Sequence, residues 1–190
     1  MDTFLFILIL CFFTVSMPGR TYTVSAKDTN LLRIAIFMTV AADFCMLVIY
    51  NNLLGLCFFI CVQTLHHYRY CGLRRTAVQI LCCFTGILTA SAIDSGIQNS
   101  LASGYFISII FSVSGAASAY KKYPSPNNRF ILTGMILFLL CDINVGIYNL
   151  APLSKYSRLF WSLIWVFYIP SQILLAVSGK NIREKTYVKK

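Results

Sequence analysis

The chain has 190 residues, of which 58% are hydrophobic and 12% charged, with a net charge of +10 and a mean hydropathy of +0.72. A soluble domain of this length is about half apolar and carries roughly a quarter charged residues. The composition excludes that class, and the apolar surplus lies in runs long enough to span lipid.

Those runs fall at 3–17, 31–50, 53–68, 76–94, 100–119, 129–150 and 157–178. A spanning helix needs roughly 20 residues, so the first and third are short. The reading is an all-α, polytopic bundle of about seven helices. Residues 1–178 form one transmembrane domain, and 179–190 form a basic cytoplasmic tail. The first run is preceded by Asp2 and by no Lys or Arg. That is the wrong charge for a cleaved signal peptide, so the run is read as a retained helix.

The positive charge is one-sided. With seven helices, one face of the membrane carries only Lys155 and Arg158. The opposite face carries Arg69, Arg74, Arg75, Lys121, Lys122, Arg129 and the lysines of the tail. Positive charge is retained in the cytoplasm during insertion. The expected orientation is therefore N-terminus out and C-terminus in, in the plasma membrane. The basicity reports topology and anionic lipid, and no nucleic acid is expected as a partner.

Eight cysteines are scattered through the runs, and none forms a CxxC pair. They read as small lipid-compatible hydrophobes. His66 and His67 are adjacent, and neighbouring helix positions point about 100° apart. No metal site and no cofactor are expected, and with two histidines a three-histidine zinc hydrolase is excluded.

Of the six acids, Asp2, Asp28 and Glu184 are expected in water and Asp94 at a helix end. Asp43 and Asp142 do not escape, since each sits at about the thirteenth or fourteenth position of its run. Placing an aspartate there costs roughly 2.5–3.5 kcal/mol. An interhelical hydrogen bond returns about 0.6 kcal/mol on average, too little to account for the burial. The two positions also look like copies. DFCMLVIYNNL (Asp43 to Leu53) aligns with DINVGIYNL (Asp142 to Leu150), and the following run carries Gln63 or Gln172 in each case. Both carboxylates are expected at a similar depth, where they would not both ionise easily. A neutral acid beside a charged base suits acid–base chemistry on an ether or acetal-like bond.

Further polar positions gather along these runs. Tyr168 and Gln172 share a helix face, and Asn149 lies two turns beyond Asp142. Pro170 is expected to interrupt the last helix. Gly104, Ser108, Ser112, Gly115 and Ala119 form a stripe of small residues suited to close helix packing. KKYPSPNNR (Lys121 to Arg129) reads as a plain connector.

GMILFLLCDINVGIYN (Gly134 to Asn149) followed by FYIPSQILLAVSG (Phe167 to Gly179) resembles the carboxyl-terminal half of the YhhN-like family, which includes the lysoplasmalogenases. AADFCML (Ala41 to Leu47) with GLCFFICVQTLHHYRY (Gly55 to Tyr70) is similar to its amino-terminal half. The chain departs from the family pattern at Ala42 (glycine), Cys141 (serine) and Gln63 (histidine). The last change bears on substrate choice and on activity. The resemblance implies a hydrolase that cleaves the vinyl ether of lysoplasmalogens taken from the bilayer. Asp43 and Asp142 would be acid and base, with Gln63, Asn149, Tyr168 and Gln172 orienting water and the ether oxygen. Two other readings stand beside it: a non-catalytic lipid-binding relative, and a small seven-helix carrier of the PQ-loop kind. Pro170 and Gln172 are separated by Ser171, which weakens the carrier reading.

Overall fold

The computed structural model describes residues 26–93, 96–150 and 156–179, so the first apolar run and the tail lie outside the described residues. Six helices follow in order: α1 Ala26–Leu47, α2 Asn52–Cys71, α3 Leu73–Ala92, α4 Gly96–Lys122, α5 Pro126–Leu150 and α6 Ser157–Val177. Among the described residues there is no strand. Helices α2 and α4 extend past both ends of the runs that announced them, whereas α1 and α3 begin earlier than their runs and also end earlier. Helix α2 is capped by Asn51, whose side chain accepts from the Leu54 backbone N–H at 3.0 Å. Pro126 opens α5, a position where its missing N–H costs nothing. The turn between α2 and α3 is the single residue Gly72 at φ 75°, a left-handed conformation that glycine adopts without strain.

Five of the helices (all but α2) are long and apolar enough to cross a membrane. Twenty helical residues span about 30 Å, the thickness of the hydrocarbon layer. The architecture is thus a multi-pass helical bundle. Helix α2 reads as less apolar because Gln63, His66 and His67 lie on it, yet all three are buried inside the protein. Its polar residues face neighbouring helices, so composition understates its centrality.

The packing pairs are α1 on α2, α2 on α4, α4 on α5 and α5 on α6, with α3 laid against α2 and α4. Helix α3 buries only Thr76, Gln79 and Cys83, one stripe, while Leu81, Phe84 and Leu88 point outward. The fully buried Ile109, Met135, Phe138 and Leu175 fill the interior between α4, α5 and α6.

The small-residue stripe of α4 packs as expected and also carries hydrogen bonds. Ser112 Oγ donates to the Gln63 carbonyl at 2.9 Å. Gln79 Nε2 donates to Ser108 Oγ at 2.8 Å, while Gln79 Oε1 pairs with His67 Nδ1 at 2.9 Å. His67 is thereby tied into the α2–α3–α4 contact.

At the end where α1 begins and α2, α4 and α6 finish lie Lys27, Arg69, Arg74, Arg75, Lys121, Lys122 and Arg129; Arg158 lies at the other. Two of the sequence expectations need correction here. Asp28 is not a free acid in water, and Arg69 is more than a topological charge. Arg69 Nε and Nη2 donate to the two Asp28 carboxylate oxygens at 2.6 and 2.8 Å, and Nη1 donates to Ser178 Oγ at 3.0 Å. Asn127 Nδ2 donates to the Ser178 carbonyl at 2.8 Å. The connector at 121–129 is therefore more than a linker, because it helps cap α6. The knot joins α1, α2, α5 and α6. The Arg69 side chain is 2% exposed, so removing its anion leaves a buried charge uncompensated. Asp28→Asn is expected to destabilise the fold by about 3 kcal/mol, read as a lowered thermal midpoint in detergent. An unchanged midpoint would assign the knot no structural weight.

Candidate active site

Asp43 enters the interior from α1 and Asp142 from α5. Each carboxylate accepts one hydrogen bond from a tyrosine on a different helix. Tyr168 Oη (α6) donates to Asp43 Oδ2 at 2.6 Å. Tyr105 Oη (α4) donates to Asp142 Oδ2 at 2.5 Å. Hydroxyl bonds to a carboxylate are short and roughly twice as strong as neutral ones, contributing about 1.5–3 kcal/mol. Such a bond offsets most of the roughly 2.5–3.5 kcal/mol cost of inserting an aspartate, which an average interhelical bond cannot.

The two acid–tyrosine pairs belong to one site. Phe59 of α2 packs against Tyr105 at 5.8 Å and against Phe138 at 6.1 Å between ring centroids. Phe138 meets Tyr168 edge-on at 5.6 Å. This aromatic wall links α2, α4, α5 and α6 and connects the two acid–tyrosine pairs. Asp43, Tyr105 and Tyr168 are buried, and Asp142 is half-buried. Helices α1 and α6 meet here through long side chains more than through close backbone approach.

One turn from Phe59, toward the Arg69 end, Gln63 is fully buried. By geometry, both atoms of its amide lack a hydrogen-bond partner. On α6, one turn from Tyr168, the Ser171 hydroxyl and Gln172 Nε2 are likewise buried and unpartnered. An unsatisfied buried polar atom costs about 1–3 kcal/mol. Four such atoms on α2 and α6 are donors and acceptors that a bound polar group could satisfy.

The structure thus brings together Asp43, Asp142, Gln63, Tyr168 and Gln172. It does not bring Asn149 to them. That residue is exposed, its amide donates to the Val145 carbonyl at 2.9 Å, and it lies about 10 Å along α5 from Asp142. Sequence reasoning missed Tyr105 and Ser171. Nothing local separates Tyr105 from the other ten tyrosines; its proximity to the small-residue stripe was the available hint. The tyrosine partners also break the apparent duplication. Asp142 is served by the helix preceding its own, whereas Asp43 is served by α6, the last of the described helices.

The fold and site define a class: a multi-pass helical protein with two acid–tyrosine pairs in one buried polar site. Comparison with protein-family models, with curated proteins and with solved structures finds no match. Among the described residues, no group of three or more His, Cys, Asp or Glu could hold a metal ion, and the seven described cysteines are free.

The contrast between two buried glutamines gives a test. Gln63→Leu removes two unpartnered atoms and is expected to raise the thermal midpoint. Gln79→Leu, which strands His67 and Ser108, is expected to lower it, by about 1–3 kcal/mol in stability. A destabilised Gln63→Leu would mean that the amide is satisfied within the protein.

Proposed function

We propose that the chain is a membrane-embedded hydrolase that cleaves the vinyl ether bond of a lysoplasmalogen or a related ether lysolipid. The observation that carries this reading is the pair of acids in one interior, each bonded to a tyrosine hydroxyl, with Phe59 and Phe138 joining the two tyrosines. One proton shared between two such acids gives a donor and an acceptor at the same place.

The chemistry then balances. The protonated carboxyl transfers its proton to the outer vinyl carbon, leaving an oxocarbenium ion at the carbon that bears the ether oxygen. The charged carboxylate takes a proton from water as the water oxygen bonds to that carbon, which gives a hemiacetal. The hemiacetal C–O bond to glycerol breaks. The second carboxyl returns its proton to the glycerol oxygen, and the first regains one from the hemiacetal hydroxyl. The products are an aldehyde and a glycerophospho-head group. Tyr168 and Tyr105 orient the carboxylates, while Gln63, Gln172 and Ser171 offer donors and acceptors to water and the ether oxygen. The lipid enters sideways from the bilayer.

The same proposal places the chain in the YhhN-like family as a seven-helix protein of the plasma membrane. The run at 3–17 would be its first helix, N-terminus out and C-terminus in, with the α1–α2 and α5–α6 pairs as its parallel repeat. The carrier reading gains nothing from the geometry. A silent lipid-binding relative differs only in turnover, so turnover decides between them.

Purified protein given a lysoplasmalogen in detergent is expected to release aldehyde. Asp43→Asn and Asp142→Asn should each lower the rate at least about a hundredfold, within the usual range for a lost acid or base, and leave the protein folded. A fully active single variant removes that residue from the mechanism, and absence of turnover in the unmodified protein removes the hydrolase reading. EDTA is expected to leave the rate unchanged; strong inhibition would point to a metal.

A further inference from the structure

Beyond the acid layer, away from the Arg69 end, the bundle carries an aromatic cluster that the proposed chemistry does not use. Tyr148 of α5 lies 5.9 Å from Trp161 of α6, with the rings inclined at 47°. Trp161 meets Trp165 edge-on at 5.4 Å and 81°, and Trp165 meets Tyr168 at 6.5 Å and 80°. Trp161 and Tyr148 are 46% and 40% exposed, so the cluster opens outward, while its inner end touches the partner of Asp43. Interfacial aromatics commonly spread around a membrane protein as a belt. Here both tryptophans of the chain instead meet each other and two tyrosines on a single helix pair. Mutually inclined rings form walls rather than a stack.

The outer end of these walls is exposed at Tyr148 and Trp161, and exposed aromatic faces attract quaternary ammonium groups. A cation is placed beside them as well. Arg158 opens α6, is exposed, and shares a helix face with Trp161 and Trp165 through its i+3 and i+7 spacing. It is the one Lys or Arg among the described residues at this end of the bundle. An arginine next to aromatic walls fits a phosphate joined to an ammonium.

The distances agree with a lysolipid. From Asp142 to Tyr148, and from Tyr168 to Trp161, the rise along the helix is about 9–10 Å. From the vinyl ether oxygen of a choline-headed lysolipid to its nitrogen there are nine bonds, which at about 1.2 Å per bond of extended chain reach roughly 11 Å. With the ether at the carboxylates, the ammonium reaches the aromatic cluster.

We infer that Tyr148, Trp161 and Trp165, with Arg158, form a head-group subsite for phosphocholine, and that it selects choline-headed over ethanolamine-headed lysolipids. The inference rests on the proposed hydrolase reading for the placement of the ether, but binding tests it without turnover.

Because both tryptophans of the sequence sit in the cluster, intrinsic fluorescence reports on it directly. The protein in mixed micelles of a sugar-headed detergent would be titrated with a saturated alkyl-ether lysophosphocholine, which cannot be hydrolysed at a vinyl ether, and with its lysophosphoethanolamine counterpart. The expected result is a saturable fluorescence change with at least about fivefold tighter binding of the choline lipid, the scale of one cation–π contact. Tyr148→Leu, which keeps both reporters, should abolish the preference, and Tyr148→Phe should retain it. Arg158→Gln should weaken both lipids alike. Equal affinity for the two lipids, or an intact preference in Tyr148→Leu, overturns the subsite. Selective binding without aldehyde release upholds it and sinks the hydrolase reading; release with no head-group discrimination in binding does the reverse.

Discussion

A carboxylate inside a membrane protein needs a substitute for water, and in this bundle the substitute is a tyrosine hydroxyl. Two such pairs, Tyr168 with Asp43 and Tyr105 with Asp142, fix how α1, α4, α5 and α6 stand toward one another. Lipid tails are as apolar as leucine, so the hydrophobic effect does little to press helices together within a bilayer. Association has to come from close packing and polar contacts, and each carboxylate supplies one that is strong and directional.

The rest of the polar architecture follows the same rule. Arg69 is buried with its anion and with the hydroxyl of Ser178. His67 is tied through Gln79 to Ser108. These contacts lie where the helices converge, while Leu81, Phe84 and Leu88 face outward. The bundle sets its polar contacts among apolar core residues and shows an apolar surface, and its central helix α2 is the one described helix not apolar enough to count as a membrane span. Against this background of satisfied groups, the unpartnered atoms of Gln63, Ser171 and Gln172 stand out. They lie one turn along their helices from Phe59 and from Tyr168. Unsatisfied polarity concentrated in one place is what a binding site requires, since a bound polar group recovers the desolvation cost that the empty fold carries.

Reading the sequence located most of the helices to within a few residues, because twenty apolar residues in a row have few other fates. It located Asp43 and Asp142 for the complementary reason: a charge in such a run is costly enough to be conspicuous. Gln63 and Gln172 were reached through the apparent repeat, each on the run that follows an acid, and Tyr168 and Asn149 by helical spacing, from Gln172 and from Asp142. The same logic failed at Asn149, where spacing on the correct face of α5 could not reveal that the helix had already left the interior. It failed at Asp28, whose place at the edge of an apolar run looked solvated until Arg69 arrived from forty-one residues away.

The sequence by itself determined that this chain is a multi-pass helical protein, which of its ends gathers positive charge, and which two acids are buried. Those properties depend on local composition and on the length of a helical turn, and both are written along the chain. Only the tertiary structure decided which tyrosine serves which acid, that the small stripe of α4 carries hydrogen bonds, and that both tryptophans join Tyr148 above the site. Such pairings depend on how helices distant in sequence rotate and settle against one another. That geometry follows from the packing of all the helices at once, and no single segment encodes it.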